Sequence, residues 1–130
     1  VKNWTIVIKG GKIISADYCC NLGKPTNYLC RKVNVVKEYG TRHSEIQALS
    51  RIKKILDKER KINSIKIINF RITVNGEIKN AKSCLACTKV LKRLGISDII
   101  YSDNDGNFIK DKVDNVLCDA KYSKYSKSLT

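Results

Sequence analysis

The single histidine of the chain, His43, stands two residues before Glu45, and a C-x-x-C pair, Cys84 and Cys87, follows well downstream. If these residues serve one site, the fold must carry two distant segments to the same place. Imidazole and two thiolates are a ligand set for a catalytic zinc, which keeps its fourth position for water, whereas a structural zinc is closed by a fourth protein ligand. Glu45 is then the natural proton carrier beside the metal.

The surrounding pattern supplies an architecture that could do this. Thr5 to Lys9 and Lys12 to Tyr18 are β-branched runs separated by Gly10-Gly11, and a two-residue glycine loop predicts a tight antiparallel hairpin. Residues 21 to 40 hold the only proline, Pro25, with Gly23, Asn27 and Gly40, and read as a long irregular connection of a kind that is uncommon unless functional. From Arg42 to about Lys61, Ile46, Leu49, Ile52 and Leu56 recur at helical spacing while Arg51, Lys54, Lys58 and Arg60 take the other face. That spacing predicts one amphipathic helix. Ile65 to Val74 predicts a buried central strand, ended by a turn at Asn75-Gly76. A second helix is expected from Ser83 to Leu94 with Gly95 as its C-cap, and a strand from Ser97 to Tyr101. Ser102 to Gly106 leaves room only for a hairpin, so Asn107 to Lys110 should return antiparallel.

Strand, helix, strand, helix, strand in that order implies parallel pairing with right-handed crossovers. The expected fold is a single three-layer α/β domain: a mixed five-stranded sheet covered by helices, with an N-terminal antiparallel hairpin and an antiparallel last strand. Such sheets bind ligands at the carboxyl ends of their strands, where the following helices begin. His43 and Cys84 each open a helix. Cys84 and Cys87, at i and i+3, share a helical face, and a helix N-terminus favours the thiolates that a metal needs.

Length sets one domain with a core of its own. We expect residues 1–118 to form it and residues 119–130, rich in Lys, Tyr and Ser, to form a basic tail. The chain has no run of apolar residues long enough to span a membrane, and its start lacks the apolar core of a signal peptide, so the expectation is a soluble, cytoplasmic protein with no membrane partner. Of six cysteines, Cys19, Cys20, Cys30 and Cys118 are irregularly spaced, which suits reduced thiols rather than a disulfide framework. A net charge of +14 favours phosphorylated substrates or polyanions, but the bias towards Lys, Ile and Asn in the composition is the stronger account of it. The tail, with tyrosines among its lysines, offers a contact for single-stranded nucleic acid.

Arg42 to Leu49 reads R-H-S-E-I-Q-A-L, and Ser83 to Ile96 reads S-C-L-A-C-T-K-V-L-K-R-L-G-I. These stretches resemble the two motifs of the cytidine deaminase-like superfamily, H-x-E followed by P-C-x-x-C. The resemblance runs from the first hairpin to Ile109. It implies one zinc ion held by His43, Cys84 and Cys87, with Glu45 catalytic, Asn21 on the substrate sugar and the Ser83 carbonyl on the reacting amine. It also implies a homo-oligomer. Two positions depart from the family pattern: Ser83 replaces Pro and Ser44 replaces Ala. The antiparallel last strand resembles the free-nucleoside deaminases, whereas histidine as first ligand is commoner in the nucleotide and polynucleotide branches.

The expected reaction is hydrolytic conversion of cytosine to uracil in free (deoxy)cytidine or its nucleotide, by zinc hydroxide attack at C4 with Glu45 as proton shuttle. One alternative is base editing of single-stranded DNA or RNA. Another is a non-catalytic, zinc-stabilised nucleic-acid-binding module, which would need a fourth ligand such as Cys19, Cys20 or Cys30.

Overall fold

The computed structural model describes residues 2–18, 43–58 and 64–119. The opening hairpin forms as expected: β1 (Lys2–Lys9) pairs antiparallel with β2 (Lys12–Tyr18). Gly10 and Gly11 both take positive φ, 59° and 76°, which a two-residue turn of this hand requires. β3 (Ile65–Ile72) pairs antiparallel with β1 and parallel with β5 (Asp98–Ser102), and β5 pairs antiparallel with β6 (Phe108–Lys112). The strand order is β2-β1-β3-β5-β6. A two-residue strand, β4 (Ile78–Lys79), adds a sixth member by folding back on β3 through the turn at Gly76. The sequence pattern did not anticipate β4, because two residues carry no periodicity.

The amphipathic segment after His43 is two helices rather than one: α1 (Ser44–Ser50) and α2 (Lys53–Lys58). Side-chain hydrogen bonds account for the break. The Ala48 carbonyl accepts a hydrogen bond from the Ser15 hydroxyl of β2 at 2.8 Å, and the Ile52 N–H turns instead to Leu49 at 3.1 Å. The Ser50 hydroxyl bonds back to the Ile46 carbonyl at 2.6 Å, a contact that bends helices. The apolar faces stay aligned through the break, since Leu49, Ile52 and Leu56 are all buried.

The second helix, α3 (Leu85–Leu94), follows the expected bounds with Cys84 as its N-cap, and Gly95 ends it at φ 87°. A further helix, α4 (Val113–Asp119), follows β6 directly and packs beside α3. Its Val113 and Val116 are fully buried.

Strand alternation sends Val7, Ile65, Ile67 and Ile99 to the face that meets the helices, where they join Leu49, Leu91 and Val116 in one core. Fully burying each such side chain contributes roughly 1.5–3 kcal/mol. The same alternation places a polar row across that face: Asp17, Thr5, Asn69 and Tyr101 are neighbours from β2 to β5, and all four are buried. On the opposite face Trp4 stacks against Phe70 with ring centroids 6.4 Å apart and meets Tyr18 at 5.1 Å, which helps fix the register of three strands. Among the described residues, no helix is long and apolar enough to cross a membrane.

Candidate metal centre and active site

His43 and Cys84 occupy equivalent places at the starts of α1 and α3. Each is an N-cap with extended backbone, and neither side chain caps its helix. Their carbonyls carry the first helical bonds instead, from Gln47 at 3.0 Å and Thr88 at 2.9 Å. Both side chains are thereby left to face each other.

His43 Nδ1 lies 3.4 Å from Cys84 Sγ and 3.3 Å from Cys87 Sγ, and the three ligand atoms lie within 4.8 Å of one another. Zinc bonds of about 2.0–2.1 Å to nitrogen and 2.3 Å to sulfur, arranged tetrahedrally, put the nitrogen and each sulfur about 3.5 Å apart. The triad therefore fits a zinc ion in spacing as well as in donor chemistry. A hydrogen bond from Cys87 lowers the Cys84 thiol to about 6; burial opposes the shift, and the nearby His43 adds to it. Such a cysteine is largely thiolate at neutral pH, the form that binds metal. The charge of Glu45 acts on Cys84 in the raising direction, which places that carboxylate within electrostatic reach of the triad.

Glu45 sits in the first turn of α1 and is only 6% exposed. Each carboxylate oxygen accepts a serine hydroxyl: Ser44 at 3.1 Å on Oε1 and Ser83 at 2.7 Å on Oε2. Ser83 Oγ in turn accepts from Asn69 Nδ2 at 2.9 Å, and Asn69 Oδ1 accepts from the Thr5 hydroxyl at 2.6 Å. Thr5 Oγ1 lies 2.7 Å from Ser44 Oγ, which closes a buried ring through Thr5, Ser44, Glu45, Ser83 and Asn69. Five contacts need five protons, and the three hydroxyls with one amide N–H supply four. With Glu45 ionised, Ser44 donates either to Oε1 or to Thr5; a carboxyl proton completes the ring. The count does not depend on which way the Asn69 amide is turned.

Of the residues singled out in the sequence, the fold brings His43, Glu45, Ser83, Cys84 and Cys87 together. Asn21 lies outside the described residues, as do Cys19, Cys20 and Cys30. Cys118 is exposed. Ser83 was expected to act through its carbonyl, which lies 3.5 Å from the Thr88 hydroxyl; its own hydroxyl binds Glu45. Thr5 and Asn69 escaped the sequence reading. The signal for Asn69 was there: an amide residue, disfavoured in strands, in the middle of I-K-I-I-N-F-R-I.

No protein-family model and no curated protein matches the chain. Among solved structures it is similar to the dCMP deaminase of the cyanophage S-TIM5. The apo form matches with a TM-score of 0.51 at 16% identity, over 92% of this chain and 77% of that one. The complex with dCMP and dUMP matches with a TM-score of 0.52 at 18% identity, over 95% and 80%. At such identities the likeness speaks for the fold. With its mixed sheet, its antiparallel opening hairpin and helices that begin at His43 and Cys84, the chain has the cytidine deaminase-like fold.

Proposed function

We propose that the protein is a zinc-dependent deaminase that converts cytosine to uracil in a free deoxycytidine nucleotide, with cytidine or deoxycytidine as related substrates. The observation that carries this reading is the convergence of His43, Cys84 and Cys87 beside a buried Glu45 whose two oxygens are each held by a serine. The phage enzyme of the same fold was solved with dCMP and dUMP, and a charge of +14 suits a phosphorylated substrate.

His43, Cys84 and Cys87 hold the metal. Zinc, when bound, supplies Lewis acidity and makes water nucleophilic at neutral pH. Glu45 takes the proton of the attacking water, passes it to the ring nitrogen and helps protonate the departing amine. The ring around it suits a group that must gain and lose a proton, because Ser44 can serve the carboxylate and complete the circuit when the acid forms. The Ser83 carbonyl receives the amine, and Asn21 contacts the sugar. The domain comprises residues 1–118 with a basic tail at 119–130, and it works in the cytoplasm as a homo-oligomer.

The test is product analysis by chromatography and mass spectrometry on dCMP, deoxycytidine, cytidine and single-stranded oligonucleotides, with zinc content measured in parallel. Conversion of dCMP to dUMP is expected, and Glu45→Ala should lose about 10²- to 10⁴-fold in rate. Turnover confined to oligonucleotides would replace the mononucleotide substrate with a polynucleotide. Intact substrates throughout, with zinc bound, would sink the deaminase reading in favour of a zinc-stabilised binding module.

A further inference from the structure

We infer that Thr5 and Asn69, which belong to the sheet rather than to either metal-bearing helix, are positioning residues for Glu45; this rests on the deaminase reading above. They are opposed residues on β1 and β3. Their side chains bond directly at 2.6 Å, and each reaches one serine: Thr5 lies 2.7 Å from Ser44, and Asn69 donates to Ser83 at 2.9 Å. Those serines occupy opposite oxygens of Glu45. Rotation of the carboxylate therefore has to disturb both serines, and both serines are tied to the same pair in the sheet.

Burial makes the ring exacting. Thr5 is 0% exposed, Asn69 2%, Ser44 2% and Ser83 4%, so a polar atom that loses its partner here has little access to water. The ring also joins the two halves of the site. Ser44 follows the ligand His43 and Ser83 precedes the ligand Cys84, so the link Thr5–Asn69 connects the start of α1 to the start of α3 through the sheet. A proton carrier has to stay aligned with its substrate over successive transfers, and small misplacements cost large factors in rate.

The experiment compares Thr5→Val, which keeps the branched shape and removes the hydroxyl, with Thr5→Ser, which restores a hydroxyl, in zinc-loaded full-length protein. A hydrogen bond acting through one intermediary is worth about tenfold, so Thr5→Val should lower kcat on dCMP about tenfold while KM stays within about twofold. Zinc content should not change, and Thr5→Ser should recover most of the loss. An unchanged kcat in Thr5→Val would overturn the assignment. So would a loss of kcat that comes with loss of zinc, since that is a structural defect. A second readout needs no catalysis: thermal unfolding of Thr5→Val, Glu45→Gln and the double variant. Non-additive midpoint shifts are expected, because the two positions share ring partners. If the wild-type protein turns over no substrate, the deaminase reading fails on its own, and additive shifts would then overturn the ring as well.

Discussion

His43 Nδ1 and Cys87 Sγ approach to 3.3 Å across 44 positions of sequence. That contact sets the start of α1 against the first turn of α3, so a metal held by His43, Cys84 and Cys87 would link two helices rather than two neighbours in one loop. Metal binding would be coupled to tertiary structure for that reason. Chelation should lower the unfolding midpoint, and zinc should restore it. Cys87→Ser should weaken zinc binding by more than the roughly 10- to 100-fold typical of losing an outer-shell partner. Thermal unfolding with and without chelator would measure the first, and metal analysis after dialysis against graded chelator the second.

The Cys84 thiol gives a pH signature. In the metal-free protein its pKa of about 6 lies below the ordinary thiol value of about 8.5. An acid whose pKa is depressed by folding contributes stability that is fully present above the unfolded value and is lost as pH falls through the folded one. Stability of the metal-free chain should therefore decline as pH drops from about 8.5 through about 6. Alkylation of Cys84 by iodoacetamide, followed by peptide mass spectrometry, should remain fast at neutral pH and fall with a midpoint near 6. Added zinc should protect it.

Leu91 is fully buried on the helix that carries both thiols. Leu91→Ala should cost about 2–5 kcal/mol, the range for emptying such a site, and urea unfolding with an unchanged denaturant slope would show it.

Gly95 ends α3 at φ 87°, where its N–H bonds to the Lys92 carbonyl and the following Ile96 N–H reaches Leu91. A side chain is strained in that conformation. Gly95→Ala should destabilise the protein by about 1 kcal/mol or more without displacing zinc, as denaturant unfolding and metal analysis would establish.

The elements that sequence revealed are those with strong local signals. Gly10-Gly11, the apolar stripe of α3 and Gly95 each specify a conformation by themselves, and the metal set stands out because its residue types are few and chemically distinct. The single long helix failed because Ser15 takes the Ala48 carbonyl, a contact made by a residue far away in sequence. Ser44 and Ser83, which in sequence were only departures from a family pattern, are the partners of the Glu45 carboxylate. Their meaning depended on Thr5 and Asn69, which come together only through strand pairing. The sugar contact expected of Asn21 lies outside the described residues.

Strand pairing and the fate of Glu45 are joined by that same circuit. Side chains alternate along β1, so a slip of one residue would put Trp4 or Ile6 beside Asn69 and turn the Thr5 hydroxyl to the far side of the sheet. A misaligned chain could still fill much of its interior with isoleucine and valine, and apolar packing alone would reject it weakly. The circuit would not close. Correct strand register is thus a condition for holding Glu45 in place, which makes the pairing of β1 with β3 part of the proposed site.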